Sequence, residues 1–526
     1  MISQHDESGF DVLIVGFGPS GAVAAALLGQ AGVRTLVVDR TEEVYPKPRA
    51  IALDHEIMRV FQNLGLQEAI APFCEPFTPS EYYGVDGQLI KRLATVEPPY
   101  PLGHTPSMVF TQPPVEQALR AHVQAHPLVE VRLGQRFVGL EQDGEEVTVS
   151  LEGAGGNHNK VRARYVIGCD GASSAVREAV GIDLEDLEFD EPWLVVDVQV
   201  NDSGLAKLPQ TSVQYCEPER PCTYVIGPGK HRRWEISLLP GEDPAWMATE
   251  DGAWSVLQRW ITPQDATLWR QASYRFHALV ARDWRRGRVF IAGDAAHQQP
   301  PFLGQGMCQG VRDAANLAWK LSAVVSGEAG DALLDTYAEE RREHVRRLTT
   351  RIKEIGAVIC ERDPALAKAR DVALIEAAGG TIRTVPRQDI IPPLAGGLLD
   401  EGGASGTGTL FPQPRIEGPA GPVLLDQLAG TGWRIVTRLR FDQLPPGLTT
   451  MAQSFGMLVC IPPGESQFSS AAHRMQAPEL DGVLARWFER HQCCAVVVRP
   501  DHYVYGVADS GQGLLQLLKG LSKRLK

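Results

Sequence analysis

The strongest constraint on this chain lies near its start. Residues 11–15 (DVLIV) form a short apolar, strand-forming run that passes directly into Gly16-Phe17-Gly18-Pro19-Ser20-Gly21. An Ala/Leu-rich helical segment continues to Gln30, Gly32 closes it, and a second strand-like run at 35–38 ends in Asp39-Arg40. Strand, glycine turn, helix, strand and terminal acid in this order predict a βαβ dinucleotide-binding unit. Gly16 makes the tight turn, Gly18 lets the backbone approach a pyrophosphate, and Gly21 lets helix and strand pack closely. Phosphates then sit at the helix N-terminus, where unpaired N–H groups and the dipole favour an anion. Asp39, with Arg40 beside it, is placed to accept hydrogen bonds from an adenosine ribose. The motif alone leaves NAD and FAD both open.

Two further strand ends carry chemistry. Residues 165–167 run into Gly168-Cys169-Asp170-Gly171-Ala172-Ser173-Ser174-Ala175-Val176-Arg177, which by itself reads as a capped helix start. Residues 288–292 run into Gly293-Asp294-Ala295-Ala296-His297, then Pro300, Pro301 and Gly304-Gln305-Gly306, with a long helix over about 308–325. An Asp at the carboxyl end of a strand is where an open α/β sheet binds ligands. The Gly-Gln-Gly turn offers backbone N–H groups and a helix dipole to whatever lies above it.

At 526 residues the chain exceeds one compact core. Its net charge of −13 argues against nucleic acid as a partner. The start, MISQHDESGFD, is acidic where a leader peptide needs a basic flank, and no apolar run approaches the roughly 18 residues of a membrane span. The nine Cys are scattered, with no CxxC pair and no Cys/His cluster at zinc spacing. They read as reduced thiols of a cytoplasmic protein, and no metal is expected.

With GFGPSG, CDGASSAVR and GDAAHQQPPFLGQG in this order, the sequence resembles the flavoprotein aromatic hydroxylases over roughly residues 10–385. These are single-component FAD monooxygenases of the para-hydroxybenzoate and phenol hydroxylase type. The wording PKPRAIALDHEIMRVFQNLGL and GDAAHQQPPFLGQGMCQGVRDAANLAWKL looks most similar to 3-(3-hydroxyphenyl)propionate hydroxylases, although resorcinol, phenol and polyketide hydroxylases share much of it. The resemblance implies an α/β fold. A Rossmann-like (GR2-type) FAD-binding domain in two parts, 1–185 and 285–385, would enclose a β-rich substrate domain at 186–284. A Pro/Gly-rich linker at 386–420 would lead to a C-terminal domain at 421–526, whose β/α alternation resembles a thioredoxin-like tail without its redox CxxC. By analogy that tail would serve subunit contacts in a homodimer.

Carried onto this sequence, the family's motifs imply that Gly16, Gly18, Gly21 and Asp39 hold the ADP half of FAD. Arg49 and Gln112 would meet its phosphate and ribityl regions, Gly293 and Asp294 the ribityl chain, and Asp170 and Gly171 the neighbourhood of the pyrophosphate. Pro301, Gly304, Gln305 and Gly306 would border the isoalloxazine ring. With one credible βαβ unit, NADH or NADPH would deliver hydride without a nucleotide fold of its own. Reduced flavin would react with O2, and a flavin C4a-hydroperoxide would hydroxylate a small phenolic substrate. Phenolate is the more reactive form, so a base is expected within hydrogen-bond reach. Asp54, His55, Tyr215 and Pro301 are candidate catalytic residues, and Tyr215 and Tyr224 lie on strands that could face a ring. Ordinary packing is the competing reading for each. Arg232 and Arg233, in KHRRW, could meet a substrate carboxylate but read better as a solvated turn. An FAD-dependent dehydrogenase or reductase that does not oxygenate, and a protein that only binds flavin or an aromatic ligand, stay open. A halogenase would carry a Trp-x-Trp signature, which is absent.

Overall fold

The computed structural model describes residues 9–153, 155–382, 384–464 and 467–526; residues 1–8, the acidic start, lie outside it. Its first sheet has a parallel centre in the order Val289–Ile291, His158–Gly168, Phe10–Val15, Thr35–Asp39, Val129–Leu133. Continuous apolar runs such as Leu13-Ile14-Val15 suit strands covered on both faces. The helix Pro19–Gln30 packs beside the helix Gly306–Val325, so the first and third motifs meet on one side of the sheet.

A nine-stranded sheet stands over the carboxyl ends of these strands. Its centre is Ala266–Ala281, Leu184–Val200, His231–Ser237, Cys222–Ile226 and Ser212–Tyr215. The sheet is not confined to 186–284. Ser80–Tyr83, Leu89–Ala94 and Thr384–Pro386 extend one edge, and His297–Gln298 closes the other. One face of its central strands packs on the helices Pro244–Met247 and Glu250–Leu257, with Trp234, Ile236 and Tyr224 buried between them. The opposite face looks towards the first sheet.

Residues 433–508 build a six-stranded sheet with Trp433–Thr437 at its centre. The Pro/Gly-rich stretch before it is packed: Leu394, Leu398 and Phe411 are buried, and Gly408 N–H donates to Val504 O at 2.9 Å. Two buried charge clusters fasten this unit to the rest. Asp426 pairs with Arg59 at 2.7 Å and with Arg434 at 2.6 Å. Arg499 pairs with Glu340 and Asp501, both at 2.6 Å, while Lys320 meets Glu340 at 2.8 Å. Removing one partner from such a cluster leaves an uncompensated charge in low dielectric, typically about 3–5 kcal/mol. Arg499→Ala should therefore lower the denaturant midpoint by an amount equivalent to about 3–5 kcal/mol. Lys368→Ala, which breaks an exposed 3.8 Å pair with Asp86, should move it by less than about 1 kcal/mol.

Candidate active site

A cleft of about 500 Å³ opens between the two large sheets. Its floor is made by the three motifs. Gly16 has φ +105°, and a Cβ there would stand 2.3 Å from Cys169 O; a Cβ on Gly21 would stand 2.0 Å from Gly16 O. Both glycines are thus required by close approach of strand, turn and helix. Gly18 is different: it caps the helix Pro19–Gln30 and lines the cleft, and a Cβ on it would meet nothing within 4 Å. Open space at a helix N-terminus suits an anion. Asp39 ties the turn down by accepting from Phe17 N at 2.6 Å and from Thr41 N at 2.7 Å.

Across the floor, Asp294 follows the strand Val289–Ile291 and lies open to the cleft, with no hydrogen bond or ion pair to any described residue. Its side chain is exposed to the cleft, yet the surrounding walls displace enough water to raise its carboxyl pKa, against the pull of His297 and Arg49. A carboxylate left unpaired there is a ready acceptor for ligand hydroxyls. The turn that carries it is braced from behind. Asp313 accepts from Gly293 N at 3.0 Å and from Arg341 Nε at 2.8 Å, and its Oδ2 lies 2.8 Å from His297 Nε2. Arg177 Nη1 donates to both Ala172 O and Ala295 O, which ties the second motif to the third. Gln112 accepts from Ala50 N at 2.6 Å and fixes the segment that brings Arg49 to the rim.

Of the residues singled out from the sequence, Gly18, Arg49, Gln112, Gly171, Asp294, Pro301, Gly304 and Gly306 line this cleft. Gly16, Gly21, Gly293 and Asp39 stand behind the turns. Asp170 braces the start of the helix Ala175–Ala179, whose N-cap is Ser174, by accepting from Ser174 Oγ at 2.5 Å and from Val176 N at 3.1 Å, while Arg40 is exposed just past the end of its strand.

Of the catalytic candidates only Pro301 borders the cleft; Asp54, His55 and Tyr215 fall elsewhere. Asp54 N-caps the helix His55–Asn63 and also pairs with Arg312, which reaches Glu56 at 2.5 Å. Gln305 donates to Asp54 Oδ2 at 3.1 Å and accepts from Arg312, so its side chain belongs to this cluster beneath the Gly304–Gly306 turn. His55 is buried away from the cleft, and burial lowers its pKa to about 4. Tyr215 and Tyr224 lie on the wrong face of their strands. Tyr215 OH accepts from Trp260 Nε1 at 3.2 Å and Tyr224 packs on Trp234, both on the helix-covered side. A strand's period of two sends their neighbours Gln214, Thr223 and Val225 into the cleft instead.

Arg233, read as part of a solvated turn, is 3% exposed and lines the cleft. With Arg270 and His231 it surrounds the fully buried Asp197, whose carboxyl these neighbours hold below the usual range although burial opposes them. Both guanidinium groups also donate to Pro48 O, and Arg233 to Arg49 O at 2.8 Å. They join the upper sheet to the lower. Beside Arg233 stands Glu235, also facing the cleft, and Arg387 enters from the strand Thr384–Pro386. The arrangement places the three glycine-bearing turns on the floor of the cleft and a polar-and-aromatic chamber above it.

Comparison with known proteins identifies the cofactor. A family profile described as "FAD binding domain" matches residues 9–352, and the chain belongs to this family of flavoprotein aromatic hydroxylases. A second, "HcaD C-terminal domain", matches residues 408–523. The chain is 38% identical over 515 residues to a probable NADH-specific resorcinol 4-hydroxylase of Rhodococcus jostii (strain RHA1), covering 97% of this chain and 94% of that protein. It is 33% identical to a 3-(3-hydroxy-phenyl)propionate/3-hydroxycinnamic acid hydroxylase of Burkholderia cenocepacia (strain HI2424), covering 95% and 94%. The crystal structure of the flavin-dependent monooxygenase PieE with FAD and substrate superposes with a TM-score of 0.80 at 22% identity, covering 99% of this chain and 100% of that one.

Asp294→Ala should raise the FAD dissociation constant roughly tenfold or more, a charge-assisted hydrogen bond being about 1.5–3 kcal/mol. Flavin absorbance after gel filtration checks this. Tyr215→Phe and Tyr224→Phe should leave flavin content unchanged and substrate KM within about twofold, since neither hydroxyl reaches the cleft; steady-state kinetics would show it.

Proposed function

We propose that this protein hydroxylates a small phenol, using bound FAD, NADH and O2. The observation that carries the reading is the single cleft in which the three cofactor motifs and a separate sheet face meet. Gly18 and the helix N-terminus of Pro19–Gln30 would receive the pyrophosphate, and Asp294 and Gln112 the ribityl region. Pro301 and the Gly304–Gly306 turn would border the ring. FAD, when bound, supplies the oxygen-activating chemistry. The chain's own contribution is to hold the aromatic ring over the turn, to set its protonation and to exclude water. Phe77, Phe276, Phe302, Val195 and Val225 provide apolar walls for one aromatic ring. The names of the two relatives support a phenol of the resorcinol or 3-hydroxyphenylpropanoate kind, and NADH is the nicotinamide named for the first.

The domain plan belongs to the same proposal: two FAD-binding parts around a β-rich substrate unit, then a thioredoxin-like C-terminal unit. For the last, strand order supports it. Gly456–Cys460 lies parallel to Trp433–Thr437, which pairs antiparallel with Ala495–Val498, itself antiparallel to Val504–Ala508. Its Cys493 and Cys494 are adjacent and not spaced as a CxxC pair, and burial pushes the Cys493 thiol up to about 11 and Cys494 upwards as well. Among the described residues no helix is long and apolar enough to cross a membrane.

Purified yellow protein should oxidise NADH slowly alone and many-fold faster with resorcinol or 3-(3-hydroxyphenyl)propanoate. O2 uptake should match a product gaining one oxygen. Stimulated flavin reduction without oxygenated product would favour the dehydrogenase reading. No reduction by either nicotinamide would favour a binding protein.

A further inference from the structure

We propose that Glu235 is the base that takes the phenolic proton of the substrate, a role that rests on the hydroxylase reading above. Glu235 lies on the strand His231–Ser237, whose alternation sends Trp234 and Ile236 into the helix-covered core and Arg233 and Glu235 to the cleft. It is 4% exposed, yet its carboxylate makes no hydrogen bond or ion pair with any described residue. A buried carboxylate without a partner is costly and is normally satisfied within the protein. Here the direction left open is the cleft.

The surroundings make the site specific for a hydroxyl. In cross-strand register, Glu235 stands between Val195 and Thr223, and Thr223 pairs in turn with Gln214. Thr223 Oγ1 donates to Gln214 Oε1 at 2.5 Å, so the threonine proton is committed away from Glu235. The carboxylate thus adjoins an apolar wall on one side and a spent donor on the other. Its charged neighbours are Arg233 on its own strand, Asp197 on Leu184–Val200 and Arg270 on Ala266–Ala281. Both guanidinium groups are already engaged by Asp197 and by Pro48 O, so neither closes on Glu235. Burial pushes the Glu235 carboxyl up to about 7, against the pull of Arg233 and Arg270. A base poised there ionises near neutrality and is a stronger acceptor than an exposed carboxylate.

The step is a proton transfer. The phenol O–H bond breaks, its electron pair stays on oxygen as phenolate, and a new O–H bond forms on the Glu235 carboxylate. The two arginines offset the phenolate charge, and the proton leaves to water at the cleft mouth when product departs. Asp54, His55, Tyr215 and Tyr224 cannot do this, since none lines the cleft.

The test compares wild-type and Glu235→Gln holoenzymes with resorcinol and with 3-(3-hydroxyphenyl)propanoate, measuring kcat/KM against pH, FAD content and substrate Kd by flavin spectral perturbation. In the wild type, the better substrate should show kcat/KM rising with pH through about 7, the free-enzyme limb of a base that must be ionised. Glu235→Gln should keep FAD content and thermal unfolding, lose that limb and fall about 100-fold or more in kcat/KM. Its Kd should change far less than its kcat. An unchanged pH limb in Glu235→Gln, or a loss wholly in Kd, would overturn the role while leaving the hydroxylase reading intact. Should Glu235→Gln lose FAD or unfold, Glu235→Asp decides: a retained but shifted limb supports the base, an unaltered wild-type profile rejects it. No stimulation of wild-type NADH oxidation by either phenol would remove the hydroxylase reading and this role together.

Discussion

The floor of the cleft depends on one buried guanidinium. Arg312, on the helix Gly306–Val325, draws Asp54 and Glu56 to itself and donates to Gln305 at 2.8 Å. Through these bonds it holds two separate pieces of chain together: the junction of the strand Ala52–Asp54 with the helix His55–Asn63, and the Gly304–Gly306 turn. Glu56 then accepts from Tyr503 OH at 3.0 Å, so the C-terminal unit is fixed to the same point. A charge buried this completely is tolerated only while every partner stays in place. The geometry of the turn is therefore over-determined, as a site that must not shift by an ångström requires.

The same logic repeats above the cleft with the sign reversed. There a carboxylate, Asp197, is the hub, and Arg233, Arg270 and His231 surround it. Their donation to the carbonyls of Pro48 and Arg49 makes the two sheets share one loop. Ile51 on that loop packs with Val225 of the upper sheet, and Ala52 stands where a Cβ on Gly304 would be 2.7 Å away. Floor and roof are thus registered by five consecutive residues, which is how an aromatic ring could be held at a fixed height over a cofactor.

The floor was legible in the sequence because each cofactor turn is local: strand, glycine, acid and helix lie within a few residues of one another. GFGPSG, Asp294 and the Gly304–Gly306 turn could be placed without knowing the tertiary fold. The roof was not legible. A strand reads as two alternating faces, and nothing local says which face is covered by helices and which by the other sheet. Aromatic residues drew attention to Tyr215 and Tyr224, but hydrophobicity belongs to the helix-covered face. The alternation Arg233, Glu235 against Trp234, Ile236 carried the signal, yet polar strand residues ordinarily mean solvent. Asp54 and His55 misled for a related reason: a capping acid and a catalytic acid look alike until Arg312, 258 positions away, is seen beside the first.

Two unpaired carboxylates, the exposed Asp294 and the buried Glu235, face the same cleft in a protein that pairs buried charges elsewhere. Asp426, Asp313, Glu340 and Asp197 each sit among two or more cationic or N–H donors. Against that pattern, an unpaired carboxylate at the cleft marks a place for a ligand, and at the buried Glu235 stability has been yielded to it. The two differ in what they face. Asp294 lies on the floor among the glycine turns, where hydroxyl hydrogen bonds from a ligand would suffice and ionisation need not change. Glu235 lies on the roof between a valine wall and a saturated hydrogen-bond pair, where a ligand hydroxyl is the partner missing and a proton is what it has to give.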